Sequence, residues 1–118
     1  MQTIAIDFDG VIHKYSKGWH DGTAYDEPID GAIEAIKTLM KVYTVFVFTT
    51  RDLKQVQNWF GVHTDIGTEI ISDDRTFYEN KHLVGLSNRK LAAIAYIDDR
   101  GIRFTNWKDA LKQVAKIV

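Results

Sequence analysis

The feature that most constrains this chain is an alternation. Apolar, β-rich runs of strand length are separated by segments whose apolar residues recur at helical spacing. Thr3 to Phe8 has the continuous apolar centre (Ile4, Ala5, Ile6) of a strand buried on both faces, and it stops at Asp7, Asp9 and Gly10. Val42 to Phe48 is a second such run, ended by Thr49, Thr50 and Arg51. Glu69 to Ser72 is a weaker strand around Ile70 and Ile71, Leu91 to Ile97 is apolar throughout and ends at Asp98 and Asp99, and Arg103–Phe104 is a last short strand. Between them, Asp30 caps a helix carrying Ala32, Ile33, Ile36, Leu39 and Met40, with Pro28 just ahead of it. Leu53, Val56, Trp59 and Phe60 mark a helix that Gly61 can end, and Asn106 caps a final one, with Asp109 resembling a capping box. Residues 73–88 carry no assignable pattern. Strands alternating with helices predict an α/β fold: a doubly wound, Rossmann-like parallel sheet with helices on both faces.

At 118 residues the chain is expected to be one domain, 1–118, with a single core and no room for a separate substrate domain. A formal charge of −1 shows no basic excess, so nucleic acid is expected only as a phosphorylated end. With no cysteine, disulfides, zinc–thiolate sites and thiol catalysis are excluded. Acids stand where a secretory signal would be apolar, and no apolar run approaches the roughly 20 residues that span a bilayer. The expectation is a cytoplasmic protein with no membrane partner.

Three apolar strands end in polar residues, at Asp7, Thr49 and Asp98, and in open α/β sheets ligands bind at the carboxyl ends of strands. Asp7 and Asp9, two apart where the chain is still extended, leave the same side of the backbone and repel each other unless a cation intervenes. On its own a D-x-D is a short motif that a solvated turn explains equally well. Asp98-Asp99 adds a second acidic strand end, and four carboxylates suit a hard divalent cation, Mg²⁺ before Ca²⁺. The Thr49 hydroxyl can donate to a phosphoryl oxygen or cap the next helix, with Thr50 available for the other role. Lys90, eight residues before Asp98, can reach the same edge, and Lys81 is its competitor. The loop from about 12 to 27 lacks both periodicities and reads as a flap, in which His13, Tyr15, Trp19 and His20 are candidates for positioning a leaving group or for local packing. His63 reads as a loop histidine.

The ordered set DFDGV, FTTR, a lysine and YIDDR, from Thr3 to about Trp107, resembles the four motifs of the haloacid dehalogenase superfamily of phosphohydrolases. The resemblance implies that Asp7 is a nucleophile forming an aspartyl-phosphate and that Asp9 is the general acid and base, its backbone carbonyl facing the metal. It also implies that Thr49 and Lys90 orient the phosphoryl group, that Gly10, Thr50 and Arg51 help bind substrate, and that Asp7, Asp9, Asp98 and Asp99 surround Mg²⁺. The lysine spacing favours Lys90 over Lys81. Val11 stands where many members carry threonine. Neither 12–27 nor 73–88 is long enough for a full cap domain, so the resemblance is to a capless or minimal-cap member acting as a phosphatase on phosphomonoesters.

Three other readings compete. A non-catalytic phosphate-binding module would keep these residues without turnover. A metal-dependent nuclease would use the acids but leave Thr49 and Lys90 without roles. A receiver-like domain would place its phosphoacceptor after the third strand, where Ser72-Asp73-Asp74 lies.

Overall fold

A computed structural model describes residues 2–98, 102–103 and 105–117. Among the described residues, six strands form one sheet: β1 (Thr3–Asp7), β2 (Thr44–Phe48), β3 (Thr68–Ile70), β4 (Val84–Ser87), β5 (Ala95–Asp98) and β6 (Ile102–Arg103). Their order is β3-β4-β2-β1-β5-β6, and every pairing is parallel. Three helices accompany them: α1 (Ala32–Met40), α2 (Leu53–His63) and α3 (Trp107–Ile117). This is a parallel α/β sheet compatible with a Rossmann-like fold. Among the described residues no helix is long and apolar enough to cross a membrane.

The two faces of the sheet are covered differently, which corrects the expectation of helices on both. Ile4, Ile6 and Phe8 of the first strand run, with Val45 and Val47 of β2, pack against residues of all three helices, among them Ile36, Phe60 and Val114. The opposite face presents Ala5 and Phe46, and what packs there is non-helical chain: Ile71, Tyr78 and Leu91. The physical reason lies in the connections. The 71–83 segment leads from the carboxyl end of β3 back to the amino end of β4, and 88–94 does the same between β4 and β5. Each therefore lies across the sheet in place of a helix.

Strand β4, within the stretch that carried no sequence signal, is short and wholly buried, and it contains Gly85. A Cβ there would lie 2.6 Å from Ile71 Cδ1 and 2.8 Å from the Tyr78 ring. Glycine thus lets the crossover segment lie directly on the strand. Gly85→Ala is expected to cost about 1–3 kcal/mol by overpacking, measured by urea unfolding; an unchanged midpoint would mean that the 71–83 segment does not lie on β4.

Several boundaries move for local reasons. The α1 N-cap is Gly31 in the left-handed region at φ 83°, not Asp30, and no side chain caps it. Helix α2 runs through Gly61 and ends where the Thr64 hydroxyl donates to the Phe60 carbonyl. Asn106 caps α3 as expected, its Oδ1 accepting from Asp109 N at 2.9 Å, whereas the Asp109 carboxylate accepts from Gln113 Nε2. Val42 lies outside β2, and β5 keeps only the last part of the 91–97 run; Phe104 lies outside the described residues.

Candidate active site

Because the sheet is parallel, its strands end together. Asp7 pairs in register with Phe48, Phe48 with Ser87, and Ile6 with Ile97. Asp7 and Asp98 therefore stand side by side, one residue beyond the Ile6–Ile97 pair. Strand alternation sets the face: Asp7 shares that of Ala5, and Asp98 that of Tyr96, opposite the helices. The Asp7 Oδ1 accepts from the Phe8 amide at 2.9 Å.

Lys90 follows β4 at the same edge. Its ammonium lies 5.6 Å from the Phe48 ring centroid and 5.8 Å from that of Tyr96. These rings belong to the strands on either side of β1, so the cation spans the strand that carries Asp7. Phe46 and Tyr96 meet edge to face at 6.1 Å across Ala5, whose small side chain leaves room for them. Lys81 precedes β4 and so belongs to the opposite end of the sheet, near Tyr78, whose carbonyl accepts from Thr3 and Thr44 at the strands' amino ends. Of the two lysines, Lys90 is the one that follows the carboxyl end of a strand.

Thr49 is buried, its amide donates to Ser87 O at 3.0 Å, and its hydroxyl oxygen accepts from Arg51 N at 3.1 Å. The acceptor role leaves the O–H to donate. Asn88 Nδ2 binds the carbonyls of Thr49 and Arg51, at 2.7 and 2.9 Å, and so ties this turn to the end of β4. Asn88 carried no sequence signal, since its role depends on β4. Thr50 is exposed. Gly10 turns at φ 79°, in the left-handed region that glycine adopts at no steric cost, and donates its amide to His13 O at 2.8 Å.

Asp9 sits in a different setting from Asp7. Arg51 Nε lies 2.9 Å from both of its oxygens, and His13 Nδ1 lies 2.9 Å from Oδ1. Arg51, expected to help bind substrate, is buried against Asp9 and the flap. Its Nη1 donates to Gly22 O at 2.7 Å, and its guanidinium stacks 4.6 Å from the Trp19 ring and 5.6 Å from that of Tyr15. Arg51 Nη2 is buried with no hydrogen-bond partner among the described residues. Trp19 is half exposed, whereas His13 is fully buried and stacks on Phe8 at 5.1 Å. His20 packs edge to face on Tyr25, and His63 closes α2 against Trp59 rather than lying in a loop. The flap is further fastened by Trp59 Nε1 donating to Asp26 O at 2.7 Å and by Tyr25 Oη donating to Gly18 O. Ser16 and the Glu27 amide bind the exposed Asp26 carboxylate, holding it down at about 2.

The tautomer of His13 follows from its neighbours. The Asp26 amide can only donate, and it points at His13 Nε2 at 2.9 Å. Nε2 therefore carries the lone pair, and Nδ1–H donates to Asp9. A proton on Nε2 would face another N–H, and burial lowers the imidazole below its ordinary value near 6.5, outweighing the hydrogen bond and charge of Asp9. The sign is that of a base harder to protonate when folded: the stabilisation is complete above 6.5 and is lost as pH falls below it toward the lowered folded value. His13→Gln is expected to flatten the fall in melting temperature as pH drops below about 6.5, relative to wild type. Parallel pH profiles of the two proteins would remove His13 as the cause.

The carboxylates differ in what surrounds them. Asp9 is occupied by Arg51 and His13, and Asp99 lies outside the described residues. Among the described residues no group of three or more His, Asp or Glu side chains is gathered to hold a metal. Asp7 and Asp98 stand side by side at the ends of β1 and β5, and Mg²⁺ commonly takes one or two carboxylates and completes its shell with water and substrate phosphate. Carboxylate oxygens are the donor type that such an ion takes.

The receiver-like alternative loses its geometry. β3 is an edge strand separated from β1 by β4 and β2, and Ser72 binds Asp74 locally at 2.7 Å. In comparisons with known proteins, the chain matches no family model, no curated protein and no solved structure.

Proposed function

We propose that the chain is a Mg²⁺-dependent phosphohydrolase that removes the phosphoryl group of a phosphomonoester through an aspartyl-phosphate on Asp7. The observation that carries this reading is the gathering of Asp7, Asp98, Thr49 and the Lys90 ammonium at one edge of a parallel sheet, from three strand ends and one crossover. It agrees with the resemblance of DFDGV, FTTR, Lys90 and YIDDR to the haloacid dehalogenase motifs.

In this mechanism an oxygen of Asp7 attacks phosphorus in line with the leaving oxygen. Lys90 and the Thr49 hydroxyl hold the equatorial phosphoryl oxygens and offset their charge. Asp7 and Asp98, with the Asp9 backbone carbonyl, would hold Mg²⁺, which when bound neutralises phosphoryl charge. Asp9 then takes the proton of the water that attacks the aspartyl-phosphate, and Asp7 is regenerated. The flap, fastened by Arg51 and Trp59, screens the site in place of a cap domain.

The direct test is phosphate release from a generic aryl phosphate with Mg²⁺ and with EDTA. Release that needs Mg²⁺ supports the phosphohydrolase. A second reading, a phosphate-binding module without turnover, draws on the flap lying over Asp9 through Trp19 and Arg51. Retention of a phosphate analogue with no turnover on any substrate would favour it.

A further inference from the structure

The turn that ends β4 is locked by one hydroxyl. Ser87 is buried, and its Oγ accepts from Arg89 N and donates to Arg89 O, each at 2.9 Å. The lock sets the course of the two polar side chains around it. Lys90 reaches over the end of β1, between the Phe48 and Tyr96 rings. Asn88 turns to the chain after β2, where its Nδ2 meets the Thr49 carbonyl at 2.7 Å and the Arg51 carbonyl at 2.9 Å. Only an N–H can stand between two carbonyl oxygens, so the side-chain amide is oriented with its donors committed to them.

Those two contacts decide how the turn after β2 is presented. Along β2 the backbone alternates: Thr44 N donates to Gln2 O, on the β1 side, and Thr49 N donates to Ser87 O, on the β4 side. With its carbonyl drawn to Asn88 as well, Thr49 turns both backbone polar groups toward β4. A trans peptide holds its N–H antiparallel to its C=O. The Thr50 amide therefore points the other way, toward the end of β1 where Asp7 stands, and among the described residues it has no hydrogen-bond partner. An open amide donor at that edge is suited to an anionic oxygen.

We infer that Asn88 is a positioning residue for phosphoryl binding. By drawing the Thr49 and Arg51 carbonyls toward β4 it keeps the Thr50 amide aimed at the end of β1, and it fixes that donor relative to Lys90, two residues away on the same locked turn. One side chain thus sets the spacing between an amide donor that follows β2 and a cation that follows β4. The inference rests on the phosphohydrolase reading above for the identity of the group being held. Asn88 is itself exposed, so replacing it alters this edge of the sheet and leaves the core intact.

Three substitutions separate positioning from stability. Asn88→Leu keeps the bulk of the side chain without its donors, Asn88→Asp keeps its shape but sets a carboxylate against two carbonyls, and Asn88→Gln keeps the amide. Misplacing a binding group by about 1 Å costs on the order of 100-fold in rate. Assayed well below the melting temperature, Asn88→Leu and Asn88→Asp should lower kcat for Mg²⁺-dependent release from an aryl phosphate by about 10- to 100-fold. Asn88→Gln should recover most of that loss. A purely structural role would lower the melting temperature and leave kcat of the folded protein within about threefold of wild type. A second readout needs no turnover. On titration of the wild type with inorganic phosphate and Mg²⁺, the Thr50 amide proton should move downfield as it takes an oxygen, and Asn88→Leu should bind phosphate at least about tenfold more weakly.

Unchanged kcat in folded Asn88→Leu and Asn88→Asp would overturn the inference while leaving the phosphohydrolase in place. A Thr50 amide that does not respond to phosphate would overturn it as well, and because that titration uses the wild type it holds even where a variant does not fold. No phosphate released from any substrate by the wild type, with the Thr50 amide responding and Asn88→Leu binding phosphate more weakly, would overturn the hydrolase and keep Asn88 in its role at a phosphate-binding edge.

Discussion

Asp7→Asn is expected to abolish Mg²⁺-dependent phosphate release while leaving the melting temperature nearly unchanged. The amide keeps the shape of the carboxylate, and its oxygen can still accept from the Phe8 amide, as Asp7 Oδ1 does at 2.9 Å. What it loses is the anionic oxygen that would bond to phosphorus. The neighbouring Asp98 cannot substitute for it, because in-line attack requires the nucleophile and leaving oxygen on opposite sides of one phosphorus. Loss of a nucleophile costs on the order of 10⁴-fold or more in kcat. The measurement is single-turnover and steady-state phosphate release from the same aryl phosphate, with circular dichroism to show that the variant is folded. A variant retaining a tenth of wild-type turnover would exclude Asp7 as nucleophile and with it the aspartyl-phosphate.

Arg51→Ala is expected to produce the largest loss of stability of any single polar substitution in the site, about 3 kcal/mol. Arg51 is fully buried and meets Asp9 through Nε, the Gly22 carbonyl through Nη1, and the Trp19 and Tyr15 rings through the face of its guanidinium. Removing it leaves the Asp9 carboxylate to the His13 Nδ1–H and takes away the surface on which the flap aromatics rest. Breaking a fully buried ion pair costs about 3–5 kcal/mol. The lower end applies because the Asp9 side chain retains 21% of its exposure. Chemical denaturation measures the loss, and limited trypsin digestion at Lys14 and Lys17 should show the flap released before the sheet unfolds. The double variant Asp9→Asn/Arg51→Ala should be less destabilised than the sum of the single changes, because the charge left unpaired has also been removed. A loss below about 1 kcal/mol, together with an intact flap, would show that Arg51 does not hold it.

The strands that build the site were legible because burial on both faces requires continuous apolar runs, and the runs at Ile4, Val45 and Ala95 all end in polar residues. Their common direction follows from the helical crossover that separates β1 from β2. Strand β4 left no comparable signal, being four residues long with a glycine at Gly85 that makes sense only beside Ile71 and Tyr78. With β4 unseen, the position of Lys90 at its carboxyl end and the clamp made by Asn88 could not be read either. Periodicity shows which face of a helix is apolar but not which face of the sheet receives it, so helices were expected on both.

The sequence alone determined the candidate chemistry, because strand burial and polar strand ends are local properties written in neighbouring residues. It determined that Asp7, Thr49 and Asp98 would share one edge of a parallel sheet. Only the tertiary structure decided what each charged group faces. It placed Arg51, 42 positions from Asp9, on both oxygens of that carboxylate, and it turned His13 so that the Asp26 amide sets its tautomer. Contacts of this kind depend on how the flap closes over the sheet, and no local pattern encodes the distance between two side chains brought together by packing.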